Sequence, residues 1–165
     1  MKTIFLGFLC LLLTACGFHL RGQSDDAVSL MKVMFVQSPD PYGALSKTVR
    51  SVLKAQGVML VDNTTQAPYR LEITKSSTGI RSAGYGFSNQ VSVNTVTYSF
   101  DYRLWGCHNT LLIPWRTISS VRNFTINTNQ ALMGTVIPDY LLDDMRRSAA
   151  NQLVEQLNAW KTNED

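Results

Sequence analysis

Alternation of apolar and polar residues predicts a long strand in the middle of the chain. The segment 91–105, VSVNTVTYSFDYRLW, alternates strictly over most of its length. One face carries Val96, Tyr98, Phe100, Tyr102 and Leu104, and the other carries Thr95, Thr97, Ser99, Asp101 and Arg103. A strand with this pattern buries one face and leaves the other exposed.

Three further segments have the β-branched and alternating composition of strands: residues 31–37, 69–80 and 110–127. The first is closed by the turn sequence Ser-Pro-Asp-Pro at 38–41. The second leads into a predicted glycine-rich bend at 82–89, and GCHN at 106–109 is a predicted hairpin loop. Pro114 should restrict its part of the last strand to a sheet edge or a bulge, because proline donates no hydrogen bond.

Spacings of three and four residues predict two amphipathic helices. The first, within residues 43–57, has its apolar face at Leu45, Val49, Val52 and Leu53. Gly57 should end it, and residues 58–62 are a candidate short extended piece. Pro138 fits the first turn of the second helix. The apolar face of that helix comprises Leu142, Met145, Ala149, Leu153, Leu157 and Trp160.

The order of these elements, β-α-β-β-β-α, predicts an α+β fold. We expect a two-layer sandwich in which two helices pack on a mainly antiparallel four-stranded sheet. A length of 165 residues suits a single compact domain.

Composition and charge narrow the function. Charged residues make up 16% of the chain, against about 25% in typical soluble domains. The net charge of +3 is not concentrated in a dense Lys/Arg block, so we do not expect a nucleic-acid partner. Two of the three cysteines lie in the first sixteen residues, which leaves no pair for a disulfide framework in the body.

The N-terminus has the pattern of a secretion signal. Lys2 precedes an apolar run of about ten residues, which is too short to cross a bilayer. Leu13-Thr14-Ala15-Cys16 resembles a bacterial lipobox, in which the cysteine is acylated and becomes the new N-terminus. The alternative is an ordinary signal peptide with an incidental cysteine. The predicted organisation is a signal peptide at 1–15, a lipidated tether at 16–30, one domain at 31–161 and a tail at 162–165.

Signals for catalysis are weak. Cys107 and His108 are adjacent in a predicted turn, where neighbouring side chains of a strand would point to opposite faces. The chain has no HExxH, CxxC, GxSxG or Walker pattern, so we predict no catalytic residues, no metal and no cofactor. A lipid-modified hydrolase would lack a credible nucleophile and base.

Aromatic and basic residues are interleaved along the predicted sheet and its loops. The aromatic residues are Tyr69, Tyr85, Phe87, Tyr98, Tyr102, Trp105 and Trp115. The basic residues are Arg70, Lys75, Arg81, Arg103, Arg116 and Arg122. One interpretation is an ordinary sheet with aromatic residues buried on one face and charges on the other. The other is a surface that contacts a protein or an anionic amphiphile.

Several segments together resemble the LptE family of lipopolysaccharide-assembly lipoproteins. They are CGFHLR at 16–21, the block MKVMFVQSPDPYGALSKTVRSVLKAQGVMLVD at 31–62, LLIP at 111–114 and NQALM at 129–133. The block at 31–62 is the most specific of these, because its strand, turn, helix start and exit occur together in family order.

This resemblance implies a non-enzymatic function. The family's lipoprotein plugs and helps to assemble the LptD β-barrel, and the pair delivers lipopolysaccharide to the outer leaflet. Gly17 after the lipid-bearing Cys16, in place of the aspartate that retains lipoproteins in the inner membrane, implies a lipid-anchored position at the periplasmic face of the outer membrane. The alternative is a free periplasm-facing lipoprotein that binds a lipid or cell-wall ligand without a barrel.

The chain departs from the family at two positions where other members of the family carry basic residues that bind lipopolysaccharide. Ser88 replaces an arginine in the bend, and Gly134 replaces a lysine before the last helix. One interpretation is that the nearby Arg81 and Arg116 take over lipopolysaccharide contact, since arginine suits bidentate phosphate binding. The other is that direct lipid binding is weaker in this member of the family.

Overall fold

The computed structural model describes residues 31–85, 91–127 and 136–162. They form six strands and two helices, with short 3₁₀ turns at Thr64–Gln66 and Cys107–Asn109. In chain order the elements are β1 (Val33–Gln37), α1 (Ala44–Ala55), β2 (Met59–Val61), β3 (Tyr69–Ile73), β4 (Ser77–Tyr85), β5 (Val91–Trp105), β6 (Leu111–Asn127) and α2 (Asp139–Thr162).

The sheet is built around β5. Strands β3 and β4 lie end to end along one side of β5, and β6 lies along the other side; all three run antiparallel to it. Strand β1 pairs with β3 and β2 pairs with β1, both in parallel. The prediction of a mainly antiparallel sheet is therefore corrected to a mixed sheet. Strand β2 is parallel to β1 because α1 carries the chain back to the end of the sheet where β1 began, and residues 62–68 return the chain to that end again before β3.

The predicted number of four strands is wrong, and the described residues form six. The extended piece after α1 pairs with β1 as the short strand β2. The predicted strand 69–80 divides at Thr74, whose hydroxyl accepts the Asp101 N–H at 2.9 Å where a carbonyl would continue the pairing. The predicted bend at 82–89 begins too early, because β4 remains paired with β5 as far as Tyr85.

Both helices pack on the same face of the sheet and enclose one core. The apolar face predicted for β5, from Val96 to Leu104, is buried there. The predicted helix faces are also confirmed: Leu45, Val49, Leu53, Met145, Ala149, Leu153 and Leu157 are buried, and Val52, Leu142 and Trp160 are half-buried against them. Gly57 ends α1 with a φ of 81°, a left-handed conformation that glycine adopts without strain.

Strand β6 contains the irregularity that Pro114 predicts. Three steps along β5, from Tyr102 to Trp105, correspond to five steps along β6, from Arg116 to Leu111. The two extra residues form bulges around Pro114, on a strand that pairs only with β5 among the described residues. As a result, Trp115 lies on the sheet face opposite the helices, beside Arg103.

Candidate functional site

The sheet face opposite the two helices is uncovered by any described element, and we call it the open face. Its half nearest the β5–β6 hairpin carries a cluster of charged and aromatic side chains. We define the Arg–Trp cluster as Arg70 and Glu72 of β3, Arg103 and Trp105 of β5, and Trp115 of β6. These residues share a face because Arg70 is paired with Trp105 and Glu72 with Arg103.

Arg103 is the centre of the Arg–Trp cluster. Its guanidinium carbon lies 4.9 Å from the ring centre of Trp105 and 4.5 Å from that of Trp115. The guanidinium carbon of Arg70 also lies over Trp105, 5.0 Å from the centre of its ring. These distances are within the range of cation–π attraction, so four side chains of three strands form one stacked row.

Glu72 supplies the negative charge of the Arg–Trp cluster. Its Oε2 accepts hydrogen bonds from Arg103 Nε at 2.7 Å and from Trp105 Nε1 at 3.3 Å. The bond from Arg103 is the main reason that the pKa of the Glu72 carboxyl lies below its usual value; partial burial opposes this effect, and the bond from Trp105 supports it. Because Glu72 neutralises one arginine, the cluster has a net charge of +1.

The hairpin next to this cluster is held in a specific shape. Arg70 Nη2 donates to Asn109 Oδ1 at 2.8 Å. Asn109 and His108 both have left-handed backbone conformations, with φ of 60° and 56°, and Cys107 is exposed. The loop is the turn predicted from GCHN. The hydrogen bonds described for this loop include none between the Cys107 thiol and the His108 imidazole.

The other half of the open face, formed by β4, β5 and β6, has a different chemistry. It consists of three cross-strand rows. The first two are Ser77, Ser99 and Ser119, and then Gly79, Thr97 and Val121. A third row, Arg81, Thr95 and Asn123, continues it. We call this surface the hydroxyl strip. Its side chains are exposed or half-buried.

The two candidates for lipopolysaccharide contact lie on opposite faces of the sheet. Arg81 is paired with Thr95 and is exposed on the open face. Arg116 is paired with Tyr102, which faces the helices. Seven residue steps along β5 separate the two pairs, or about 23 Å. Arg81 and Arg116 are therefore two separate candidates and do not form one site.

Their surroundings differ as well. Arg81 borders a shallow pocket of about 340 Å³ with Thr95 and Thr97, and it forms no ion pair within the described part of the chain. Arg116 lies close to the Tyr102 hydroxyl, which donates to Gln156 Oε1 of α2 at 2.6 Å. Burial raises the pKa of Tyr102, and the charge of Arg116 partly offsets that rise.

The remaining aromatic and basic residues divide between core and surface. Tyr98 and Tyr102 are buried beneath the helices, which is the ordinary arrangement. Arg122 forms an ion pair with Asp144 of α2 at 2.9 Å. Sequence reasoning missed Glu72 as a partner of Arg103, although its place on the polar side of β3 was a usable signal. Cys16, Ser88 and Gly134 lie outside the described residues.

A clustered set of metal ligands and a membrane-spanning helix are both absent from the described residues. No group of three or more His, Cys, Asp or Glu side chains is arranged to hold a metal ion there. Within residues 31–85, 91–127 and 136–162, neither helix combines the length and apolarity needed to traverse a bilayer.

Similarity to known proteins extends over almost the whole chain. No protein-family model matches it. The LPS-assembly lipoprotein LptE of Pectobacterium atrosepticum is 30% identical over 160 residues, which cover 94% of this chain and 83% of that protein. LptE of Yersinia pestis is 29% identical over 161 residues, covering 94% and 74%.

A solved structure shows the same fold. The solution structure of lipoprotein B from Nitrosomonas europaea superposes with a TM-score of 0.68 at 20% identity, covering 88% of this chain and 93% of that one. Its likeness supports the arrangement of helices and sheet, and the sequence identity to the curated relatives establishes descent. The chain belongs to the LptE family of LPS-assembly lipoproteins.

Proposed function

We propose that this protein is the lipoprotein partner of an LptD-type β-barrel in the outer membrane. It plugs the barrel and helps it to assemble, and the pair delivers lipopolysaccharide to the outer leaflet. The observation that carries this proposal is the relation to proteins named LPS-assembly lipoproteins over 94% of the chain. The protein is a non-enzymatic component, as its family membership implies.

An extended, polar open face is consistent with a function in binding. Strands β5 and β6 contain 15 and 17 residues, so the longer one spans roughly 55 Å. Strands in globular proteins rarely exceed about 10 residues. A long sheet surface with few charges suits contact along a large partner better than it suits a small-molecule site.

The predicted anchor at Cys16 would be joined to the described chain just before β1. Cys16 would carry the acyl chains, and the 14 residues at 17–30 can span at most about 50 Å. The described chain starts next to β1, whose first residues lie at the same end of the sheet as the β5–β6 hairpin, because β1 runs parallel to β3 and β3 antiparallel to β5. The tether therefore joins the described chain at the end of the sheet that carries the Arg–Trp cluster.

Direct contact with lipopolysaccharide is assigned first to Arg81. Its guanidinium is exposed on the open face without an acidic partner among the described residues, so it is available to a phosphate. Arg116 remains a second candidate, but its position beside Tyr102 gives it a structural role too. We expect Arg81→Glu to weaken binding of lipopolysaccharide to the purified lipoprotein several-fold.

A matched control is available on the other side of the molecule. Arg147 is exposed on α2, and Arg147→Glu changes the net charge by the same amount. Binding of lipopolysaccharide should therefore be unchanged in Arg147→Glu. It should be reduced in Arg116→Glu if Arg116 contributes to the contact. Equal weakening in Arg81→Glu and Arg147→Glu would mean that only the overall charge matters, and Arg81 would lose its assignment.

Depletion of the protein from living cells tests the function as a whole. We expect surface lipopolysaccharide and the folded form of the barrel to decline together, and expression of the intact chain to restore both. Normal surface lipopolysaccharide and a normal amount of folded barrel in depleted cells would contradict the proposal. They would favour a free lipoprotein that binds its ligand without a barrel.

A further inference from the structure

One row of side chains crosses five strands of the open face, next to the β5–β6 hairpin. Arg70 is paired with Trp105 on one side and with Phe35 on the other, so these three side chains share the open face. Val61 extends the row beyond Phe35, and Leu111 extends it beyond Trp105. Neighbouring strands lie about 4.8 Å apart, so the row is roughly 19 Å long. Arg70 is the one charged residue among its aliphatic and aromatic members.

Large exposed side chains border this row on both sides. Met59 lies one row nearer this end of the sheet, where it is paired with Val33, and Trp115 lies beside Arg103 on the other side. The exposed fraction is 64% for Met59 and 47% each for Leu111 and Trp115. Exposed apolar side chains that gather in one place mark a contact surface. We define the hairpin-end patch as Val61, Phe35, Arg70, Trp105, Leu111, Met59, Arg103 and Trp115.

We propose that the hairpin-end patch lies against the phospholipid surface of the membrane that holds the predicted acyl anchor. Sites that lie in a membrane interface combine tryptophan and leucine with arginine or lysine. A tryptophan ring is apolar on its body and polar at its N–H, and an arginine can lay its stem along apolar groups while its guanidinium reaches a phosphate. This inference goes beyond the proposed function, because it concerns lipid rather than the barrel, and it takes from that proposal only the anchor at Cys16.

The charge of the hairpin-end patch also suits phospholipid. Its charged members are Arg70 and Arg103, and the adjacent Glu72 offsets one of them, since its carboxylate accepts a hydrogen bond from Arg103 Nε at 2.7 Å. The resulting net charge of +1 is attracted to anionic phospholipids, and guanidinium groups pair well with phosphate oxygens.

The tether permits this contact, and the composition of the surface selects it. The 14 residues at 17–30 span at most about 50 Å, which keeps the domain near its anchor. Tethering by a short flexible segment raises the effective concentration to the millimolar range, so a patch of a few side chains is sufficient. The hydroxyl strip offers a lipid surface only one exposed aliphatic side chain, Val121, and one cation, Arg81.

Quenching of tryptophan fluorescence tests the contact in the mature, lipidated protein. The protein is reconstituted in vesicles of phosphatidylethanolamine and phosphatidylglycerol with acyl chains brominated near the headgroup, because bromine quenches an indole ring only at short range. Trp160→Phe retains Trp105 and Trp115, whereas Trp105→Phe combined with Trp115→Phe retains only Trp160, which packs against the core on the helix side of the sheet. We expect the first variant to lose about half of its fluorescence and the second less than about a tenth.

Two residues of β6 provide a matched pair of charge substitutions. Leu111 lies in the hairpin-end patch and Val121 in the hydroxyl strip, and their exposed fractions are similar, at 47% and 51%. In the Trp160→Phe protein, Leu111→Asp should reduce the quenching about twofold, because it places a negative charge against anionic lipid, and Val121→Asp should leave it unchanged.

Three results would overturn the proposal. Equal fluorescence of Trp160→Phe in brominated and ordinary vesicles would mean that phospholipid does not cover the patch. Quenching that disappears when lipopolysaccharide is added to the vesicles would assign the patch to lipopolysaccharide instead. Loss of every variant from the vesicles would refute the acyl anchor on which the contact depends, whereas the function with a barrel is tested separately by co-purification.

Discussion

Replacing Arg103 measures how much the Arg–Trp cluster contributes to stability. Arg103→Met keeps most of the aliphatic stem but removes two cation–π contacts, at 4.5 and 4.9 Å, and the ion pair with Glu72. Each cation–π contact contributes about 0.5–1 kcal/mol at an exposed site. The ion pair, whose side chains are 29% and 21% exposed, adds about 0.5–1 kcal/mol. We therefore expect a loss of about 2 kcal/mol in the free energy of unfolding.

A conservative variant separates charge from shape. Arg103→Lys keeps the positive charge but lacks the planar group that stacks between two rings, so about half of the loss should remain. Urea unfolding of the mature protein in detergent, followed by circular dichroism, gives these free energies. Arg147→Met, an exposed arginine outside the cluster, serves as the control and should change stability by less than about 0.5 kcal/mol.

The stacked geometry predicts that the free energy of unfolding decreases from the wild type to Arg103→Lys and further to Arg103→Met. Stability of Arg103→Met within about 0.5 kcal/mol of wild type would refute the reasoning, because two ring contacts and an ion pair would then contribute nothing measurable. Equal losses for lysine and methionine would show that stacking, rather than charge, accounts for the whole effect.

Three other predictions concern the core, the pH dependence and the anchor. Leu153→Ala should cost about 2–5 kcal/mol in urea unfolding because Leu153 is fully buried, whereas Leu111→Ala, 47% exposed, should cost under about 1 kcal/mol; similar losses would contradict the assigned core. Because the pKa of Glu72 is lowered in the folded state, its ion pair contributes to the free energy of unfolding above about pH 4.3, and this contribution is lost as the pH falls further. Glu72→Gln should flatten that part of the profile of stability against pH, and an unchanged profile would count against the ion pair. Cys16→Ala should leave circular dichroism unchanged but release protein from the membrane fraction, and full retention would exclude an essential acyl anchor.

Local pattern was sufficient for most of the secondary structure. The alternation of β5 identified its buried face from Val96 to Leu104, because side chains of a strand alternate regardless of which strand lies beside it. The helix spacings and Gly57 were equally reliable, since both depend on backbone geometry within a few residues. These features are local, and the sequence contains them directly.

Pairing between strands that no hairpin joins was beyond the reach of that reasoning. Alternation does not indicate whether a neighbour is parallel or antiparallel. The parallel positions of β2 and β3 beside β1 depend on where α1 and then residues 62–68 return the chain. The division at Thr74 results from one hydroxyl that pairs with Asp101 across the sheet, a contact between residues 27 positions apart. The bulge near Pro114 was predicted, but the cation–π contact between Arg103 and Trp115 that it produces was not.

The candidate site shows the same limit. Arginines and tryptophans could be recognised as interleaved, but only the register of β3, β5 and β6 selects Arg70, Arg103, Trp105 and Trp115 as one row. That register also separates Arg81 from Arg116, which the sequence analysis named together as candidates for lipopolysaccharide contact.

Affinity purification of the tagged, lipidated protein from detergent-solubilised outer membranes tests the proposed function most directly. The amounts of every co-purifying protein are measured, and samples are compared before and after heating because folded barrels migrate differently. We predict one large, heat-modifiable β-barrel in a one-to-one ratio with the lipoprotein. Recovery of the lipoprotein alone, as a monodisperse monomer, would contradict a barrel plug.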